Sequence, residues 1–271
     1  MSLRLVISDI DGTLVNKAKQ LTPGTIAAVG RLRAAGIPFT LISARPPSGL
    51  YPLAKTLGLT EPLAAFNGGT LFKADGTVTE RHLVPEDVVR GMFDLAKGTD
   101  AVPWIFADGV WHALVMEGVH VEHERLASAQ DPIHTIDMTP LYARVDKLTF
   151  VSDDEPMLRD LTTRAQAKYG EAATIGQSQT YYLDVTHIRA NKGDGIVSLA
   201  ATLGVALEDV AVLGDMPNDL PMFARAGTSI AMGQAPAEVR GKARFTTASN
   251  EEDGVAHAID TILLPMMGKD A

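Results

Sequence analysis

"RLVISDIDGTLVN", Arg4 to Asn16, decides the fold. Leu5-Val6-Ile7 is a short apolar run of the kind that forms a buried strand. It leads directly into Asp9 and Asp11, separated only by Ile10, with Gly12-Thr13 following at once. Residues i and i+2 of a strand point the same way, so the two carboxylates would converge if the extension continued. Two unit charges ~4 Å apart repel by roughly 4 kcal/mol at an effective dielectric near 20. A proton, a lysine or a bound cation has to offset that. Read alone, Asp11-Gly12 serves equally as a turn, with Asp9 as a cap.

Working outward, strand-like and helix-like segments alternate: a helix over 23–35 stopped by Gly36, a strand over 38–43, a helix over 47–57 stopped by Gly58, and a strand over 64–66. Such alternation predicts βαβ units and a parallel sheet. Ligands of open parallel sheets gather at the carboxyl ends of strands, where Asp9, Ser43 and Asn67 fall. The texture changes near Leu71: an Asp75-Gly76 turn predicts a hairpin. From Pro85 to about Thr186 a different run of helices and strands, holding both tryptophans, reads as an inserted unit. Its helices are expected over 85–97 and 155–169, with a weaker one between. The first texture resumes at Lys192, with strands over 210–213, 229–232 and 245–247 and a closing helix over 254–264. The fold class expected is α/β: a Rossmann-like parallel-sheet core in two parts, 1–84 and 188–271, interrupted by an α/β cap domain over 85–187.

A second acidic pair follows the strand at 210–213, in "GDMPNDL". Pro217 suits a first helical turn and would bring Asn218 and Asp219 near the strand end beside Asp215. Mg²⁺ takes oxygen ligands, typically one or two carboxylates plus phosphate and water, and Asp9 with Asp215 on neighbouring strand ends meet that need. Ser43, with Arg45 close by, offers a hydroxyl and a backbone N–H to phosphate oxygens, or simply caps a helix. Lys192 is a compact cation suited to an aspartate and a phosphate, or else a solvated surface charge.

In this order "DIDGTL", "LISAR", "NKGDG" and "GDMPND" resemble the four motifs of the haloacid dehalogenase-like hydrolases. The large insert resembles the α/β cap of their Cof-type phosphatase branch. The resemblance implies a Mg²⁺-dependent phosphatase acting on a small phosphorylated metabolite. Asp9 would be the nucleophile, Asp11 the general acid and then the base, and Lys192 the cation that neutralises Asp9. Ser43, the Ala44 amide and Arg45 would hold the phosphoryl group, and Asn218, Asn67 and Gly68 would touch substrate. Asp9, Asp215, the Asp11 carbonyl and, from behind, Asp219 would make the metal site. A phosphomutase and a non-catalytic binding protein of the same fold are the alternatives.

The composition fits. The chain has 271 residues, 46% apolar and 21% charged, with a formal net charge of −9 and no cysteine. Excess acid argues against nucleic acid as partner, which requires concentrated Lys and Arg. The absence of cysteine excludes disulfides and thiolate chemistry. No apolar run reaches membrane-spanning length, so a cytoplasmic protein is expected. His120 and His123, at i and i+3 without a third ligand, read as solvated cap surface, and Tyr181-Tyr182 as strand packing.

Overall fold

The computed structural model describes residues 3–267. Its parallel sheet is built from β1 (Leu5–Ser8) and β2 (Phe39–Leu41) at one end of the chain and, far later, three more strands. Between them lie β3 (Leu63–Ala65), β4 (Thr70–Phe72) and β5 (Val78–Arg81), then β6 (Val102–Ala107), β7 (Val110–Ala113), β8 (Ile133–His134), β9 (Val145–Val151), β10 (Ala173–Gln179) and β11 (Tyr182–His187). The late strands are β12 (Val210–Gly214), β13 (Thr228–Ala231) and β14 (Phe245–Thr246), giving a parallel order β14-β13-β12-β1-β2. β1, β12 and β13 are buried along their whole length, as strands covered by helices on both faces must be.

Helix α1 (Pro23–Ala34) follows β1, with Thr22 accepting the Thr25 amide as N-cap, and α2 (Pro47–Thr56) follows β2. Six strands, β10-β11-β9-β6-β7-β8, form a second and mostly antiparallel sheet, so every strand from Val102 to His187 belongs to it. Helices α3 (Glu86–Ala96) and α5 (Glu155–Tyr169) share an apolar cluster with it through Val88, Met92, Leu158 and Leu161. α4 (Val119–Ser128) lies between β7 and β8 in the chain, and α6 (Lys192–Thr202) returns it to the parallel sheet. Where the chain leaves and re-enters, the rings of His82 and His187 stack with centroids 5.1 Å apart.

One expected strand is shared between two sheets. The run at 64–66 reads as a strand of the parallel sheet, and β3 does bridge that sheet in parallel at Ile42–Ala64, but its full pairing is antiparallel with β4. Phe66 and Asn67 both take positive φ, 49° and 58°, which turns the chain straight back into the hairpin.

Candidate active site

In the parallel pairing of β1 with β12, Ser8 stands opposite Leu213, so Asp9 and Asp215 emerge from adjacent strand ends. The Asp9 N–H still donates to the Leu213 carbonyl at 2.9 Å. Asp219 arrives from the 3₁₀ turn Pro217–Asp219, and carboxylate oxygens of Asp9, Asp215 and Asp219 lie within 4.8 Å of one another. Lys192 opens α6 behind its N-cap Asn191. The buried Lys192 ammonium donates to Asp9 Oδ1 and to Asp219 Oδ1, both at 2.5 Å. The other Asp219 oxygen accepts the amides of Asp215 and Met216 at 2.8 and 2.9 Å. Asp219 is thus fully engaged as a brace for the loop and the lysine, leaving Asp9 and Asp215 as the carboxylates able to face an ion. Gly12 has φ +78°, and a Cβ there would stand 2.2 Å from Asp215 Oδ2. Only glycine fits.

Three carboxylates against one ammonium leave the cluster with excess negative charge. Burial, reinforced by Asp219 and Asp215 and opposed by Lys192, pushes Asp9 up to about 8. Burial and Asp219 push Asp215 up to about 7. For Lys192, the Asp219 and Asp9 carboxylates outweigh burial and raise its pKa. An all-oxygen donor set with unneutralised charge suits a hard divalent cation such as Mg²⁺.

Asp11 departs from its expected place. The chain turns immediately after Asp9, with the Thr13 and Leu14 amides donating to the Ile10 carbonyl at 3.2 and 2.9 Å. The extension that would make the two carboxylates converge therefore stops, and the Asp11 carboxylate lies outside the acidic cluster. It receives Arg45 Nε and Nη2 at 2.7 and 2.8 Å and Lys19 Nζ at 2.5 Å. Burial alone would raise its pKa, but these bonds hold it well below the usual carboxylate range. Arg45, expected to meet phosphate, has its guanidinium committed to Asp11.

One cavity of about 460 Å³ is bordered by Asp9, Asp11, Ser43, Ala44, Arg45, Lys192, Asp215 and Asn218, while Asp219 stays behind its wall. Ser43 is buried, and its hydroxyl oxygen accepts the Arg45 amide at 3.2 Å. Asn67 and Gly68 are not in that wall. Asn67 accepts a long bond from Asn218 at 3.4 Å. Gly68 is a packing residue: a Cβ there would come 2.7 Å from the Cα of Gly195 in α6.

The opposite wall belongs to the six-stranded unit and contains His123, Glu124, Lys147 and Tyr181, with Lys17 and Lys19 from the loop after β1. His123 is solvent-exposed, as expected, but it is not merely surface, because it borders the cavity. His120 is also not simply solvated: its ring stacks on Tyr181 at 4.2 Å and its Nε2 meets Asp153 at 2.8 Å. Nothing in the isolated sequence brings these residues together, because they come from α4, β9, the turn between β10 and β11 and the loop after β1. Trp104 and Trp111 are packed edge to face in the interior of the unit. The two walls are held together by α4 on α2. A Cβ on Gly49 would stand 2.2 Å from the Ala127 carbonyl, and Gln130 Nε2 donates to Ser48 Oγ at 2.9 Å.

Comparison with known proteins agrees with this geometry. A family model for haloacid dehalogenase-like hydrolases matches residues 6–259. A Haemophilus influenzae protein is 30% identical over 257 residues, spanning 94% of this chain and 97% of its own. A 5-amino-6-(5-phospho-D-ribitylamino)uracil phosphatase of Bacillus subtilis is 27% identical, covering 96% of this chain and 98% of its own. The crystal structure of a haloacid dehalogenase-like hydrolase from Bacteroides thetaiotaomicron superposes with TM-score 0.87 at 26% identity, over 96% of this chain and all of that one. Two sheets, two acidic strand ends and a cavity between them have the same explanation: the chain belongs to the haloacid dehalogenase-like hydrolases, among their phosphatases.

Proposed function

We propose that this chain hydrolyses a small phosphorylated metabolite through an aspartyl-phosphate at Asp9, with Mg²⁺ as cofactor and residues 85–187 as the cap. The observation that carries the reading is the buried set Asp9–Lys192–Asp219 beside Asp215 at two adjacent strand ends.

Phosphoryl transfer is mainly a matter of positioning and charge stabilisation. Asp9 Oδ1 is held by Lys192, so Oδ2 is the oxygen left to attack phosphorus. The bond from phosphorus to the ester oxygen breaks as the bond to Oδ2 forms, and the leaving alkoxide takes a proton. Water then attacks the same phosphorus, releasing inorganic phosphate and restoring the carboxylate. Asp9 and Asp215 would hold the Mg²⁺, which when bound screens the repulsion between an anionic nucleophile and an anionic substrate. Ser43 and the Ala44 amide line the cavity where phosphoryl oxygens would lie.

Asp11 is the proton carrier in this scheme, and its surroundings divide that work. Bound by Arg45 and Lys19 it is ionised, the form that has to accept the proton of the attacking water, although the same bonds lower its basicity. To donate a proton in the first half-reaction it has to be protonated, so substrate binding must weaken those bonds. Release of inorganic phosphate from p-nitrophenyl phosphate, present with Mg²⁺ and abolished by chelator, tests the reading. No release under either condition refutes it. Phosphate retained on a sugar diphosphate instead of released would favour a phosphomutase.

A further inference from the structure

Helix α4 buries Val121, Glu124 and Ser128, a spacing of three and four that makes one face. Val121 packs into an apolar cluster, and the Ser128 hydroxyl donates to the Glu124 carbonyl at 2.6 Å. Glu124 places a carboxyl where an apolar side chain would serve packing better. It is 8% exposed and borders the same cavity as Asp9. Among the described residues, neighbouring charges act on it only at a distance, and burial pushes it up to about 7. Its carboxyl has no hydrogen-bond or ion-pair partner among the described residues and opens onto the cavity. A largely desolvated carboxyl is costly to a fold, so a role in the cavity explains its presence.

Beside it in the same wall is Lys147 of β9, 6% exposed. Its ammonium meets Asp184 Oδ1 at 3.0 Å, and that oxygen also accepts the Thr149 hydroxyl at 2.7 Å. Asp184 thus fixes Lys147 from behind, while an ammonium carries three donors. The wall therefore offers an acceptor and a donor together, with Ser178 and Gln179 adding further polar groups. A planar heteroaromatic group would need two apolar faces, and one face of Tyr181 is already covered by His120. Hydroxyls, each both donor and acceptor, match this wall better.

Building on the phosphatase reading above, we infer that Glu124 and Lys147 are specificity-determining residues that grip neighbouring hydroxyls of a phosphorylated polyol or sugar, Glu124 accepting and Lys147 donating.

The test compares kcat/KM for a panel of polyol and sugar phosphates, pyridoxal phosphate and p-nitrophenyl phosphate in the wild type and in Glu124→Gln. The wild type should prefer a hydroxyl-rich ester. Glu124→Gln should cut that preference over the aryl ester ~10-fold or more, the size expected for losing a hydrogen bond to a charged group. The loss should fall mainly on KM, without a lower melting temperature, because the variant removes a buried lone charge. Should that variant not fold, Glu124→Asp, which retracts the carboxylate by one methylene, should move the ratio in the same direction. A ratio that stays fixed, or a wild type that prefers pyridoxal phosphate, overturns the inference while leaving phosphatase activity standing. A wild type that turns over no ester, p-nitrophenyl phosphate included, overturns both.

Discussion

The two walls of the cavity differ in how their charges are managed. On the parallel-sheet side Lys192 ties Asp9 to Asp219, and Asp219 in turn takes two backbone amides. On the cap side Lys147 is tied to Asp184, but Glu124 beside it has no such tie. On the reading proposed above, the first wall serves one reaction whatever the ester, whereas the second holds a carboxyl free to meet a substrate. On that reading chemistry belongs to strand ends and selection to a helix face. Changes on the core side should therefore reduce turnover of every ester alike, and changes on the cap side should reorder them.

The largest effect is expected from Asp9→Asn, which removes the proposed nucleophile while keeping its volume. Turnover of all esters should fall by more than ~10⁴-fold, as when a nucleophile is deleted from a catalytic unit, with circular dichroism unchanged. A folded variant with wild-type rates would erase the distinction between the walls. Next in size is Lys192→Met. It strands Asp9 and Asp219 without their shared cation, and losing one member of a buried ionic set costs about 3–5 kcal/mol. Urea denaturation should show this loss, and a midpoint equal to the wild type's would mean that Lys192 does not hold the wall together.

A smaller effect couples pH to metal. Asp9 and Asp215 have folded-state values of about 8 and about 7, against an ordinary value of 3.8. Without metal, the stability that comes from their uptake of protons is complete below about 3.8 and is lost as pH rises through 7 and 8. A cation replaces those protons, so it binds better as pH rises. The melting-temperature increase given by Mg²⁺ should accordingly be greater near pH 8 than near pH 5. An increase that shrinks with pH would place the ion elsewhere.

The core wall was legible because its residues travel in short motifs at strand ends, where an apolar run announces each carboxylate. Asp9, Lys192, Asp215 and Asn218 could be placed before the fold was known. Asp11 could not, since its direction depends on a turn at Ile10 that breaks the strand's alternation. Gly68 reads as a ligand-loop glycine because it sits beside Asn67, whereas the structure gives it a second reason to be glycine, the backbone of α6. Glu124 and Lys147 were invisible, and Tyr181 read only as packing, for another reason. Their side chains meet only when α4, β9 and the segment between β10 and β11 are packed together, and each alone looks like ordinary surface polarity in an amphipathic element.

The most direct measurement is made on Asp11→Asn, which should slow both proton-transfer steps, mixed briefly with a reactive phosphate ester and Mg²⁺ and quenched in acid. Mass spectrometry of its peptides should find one phosphoryl group on the peptide that carries Asp9, decaying slowly to inorganic phosphate. Phosphate release with Asp9 never modified, or a phosphoryl group fixed on some other side chain, would contradict the account.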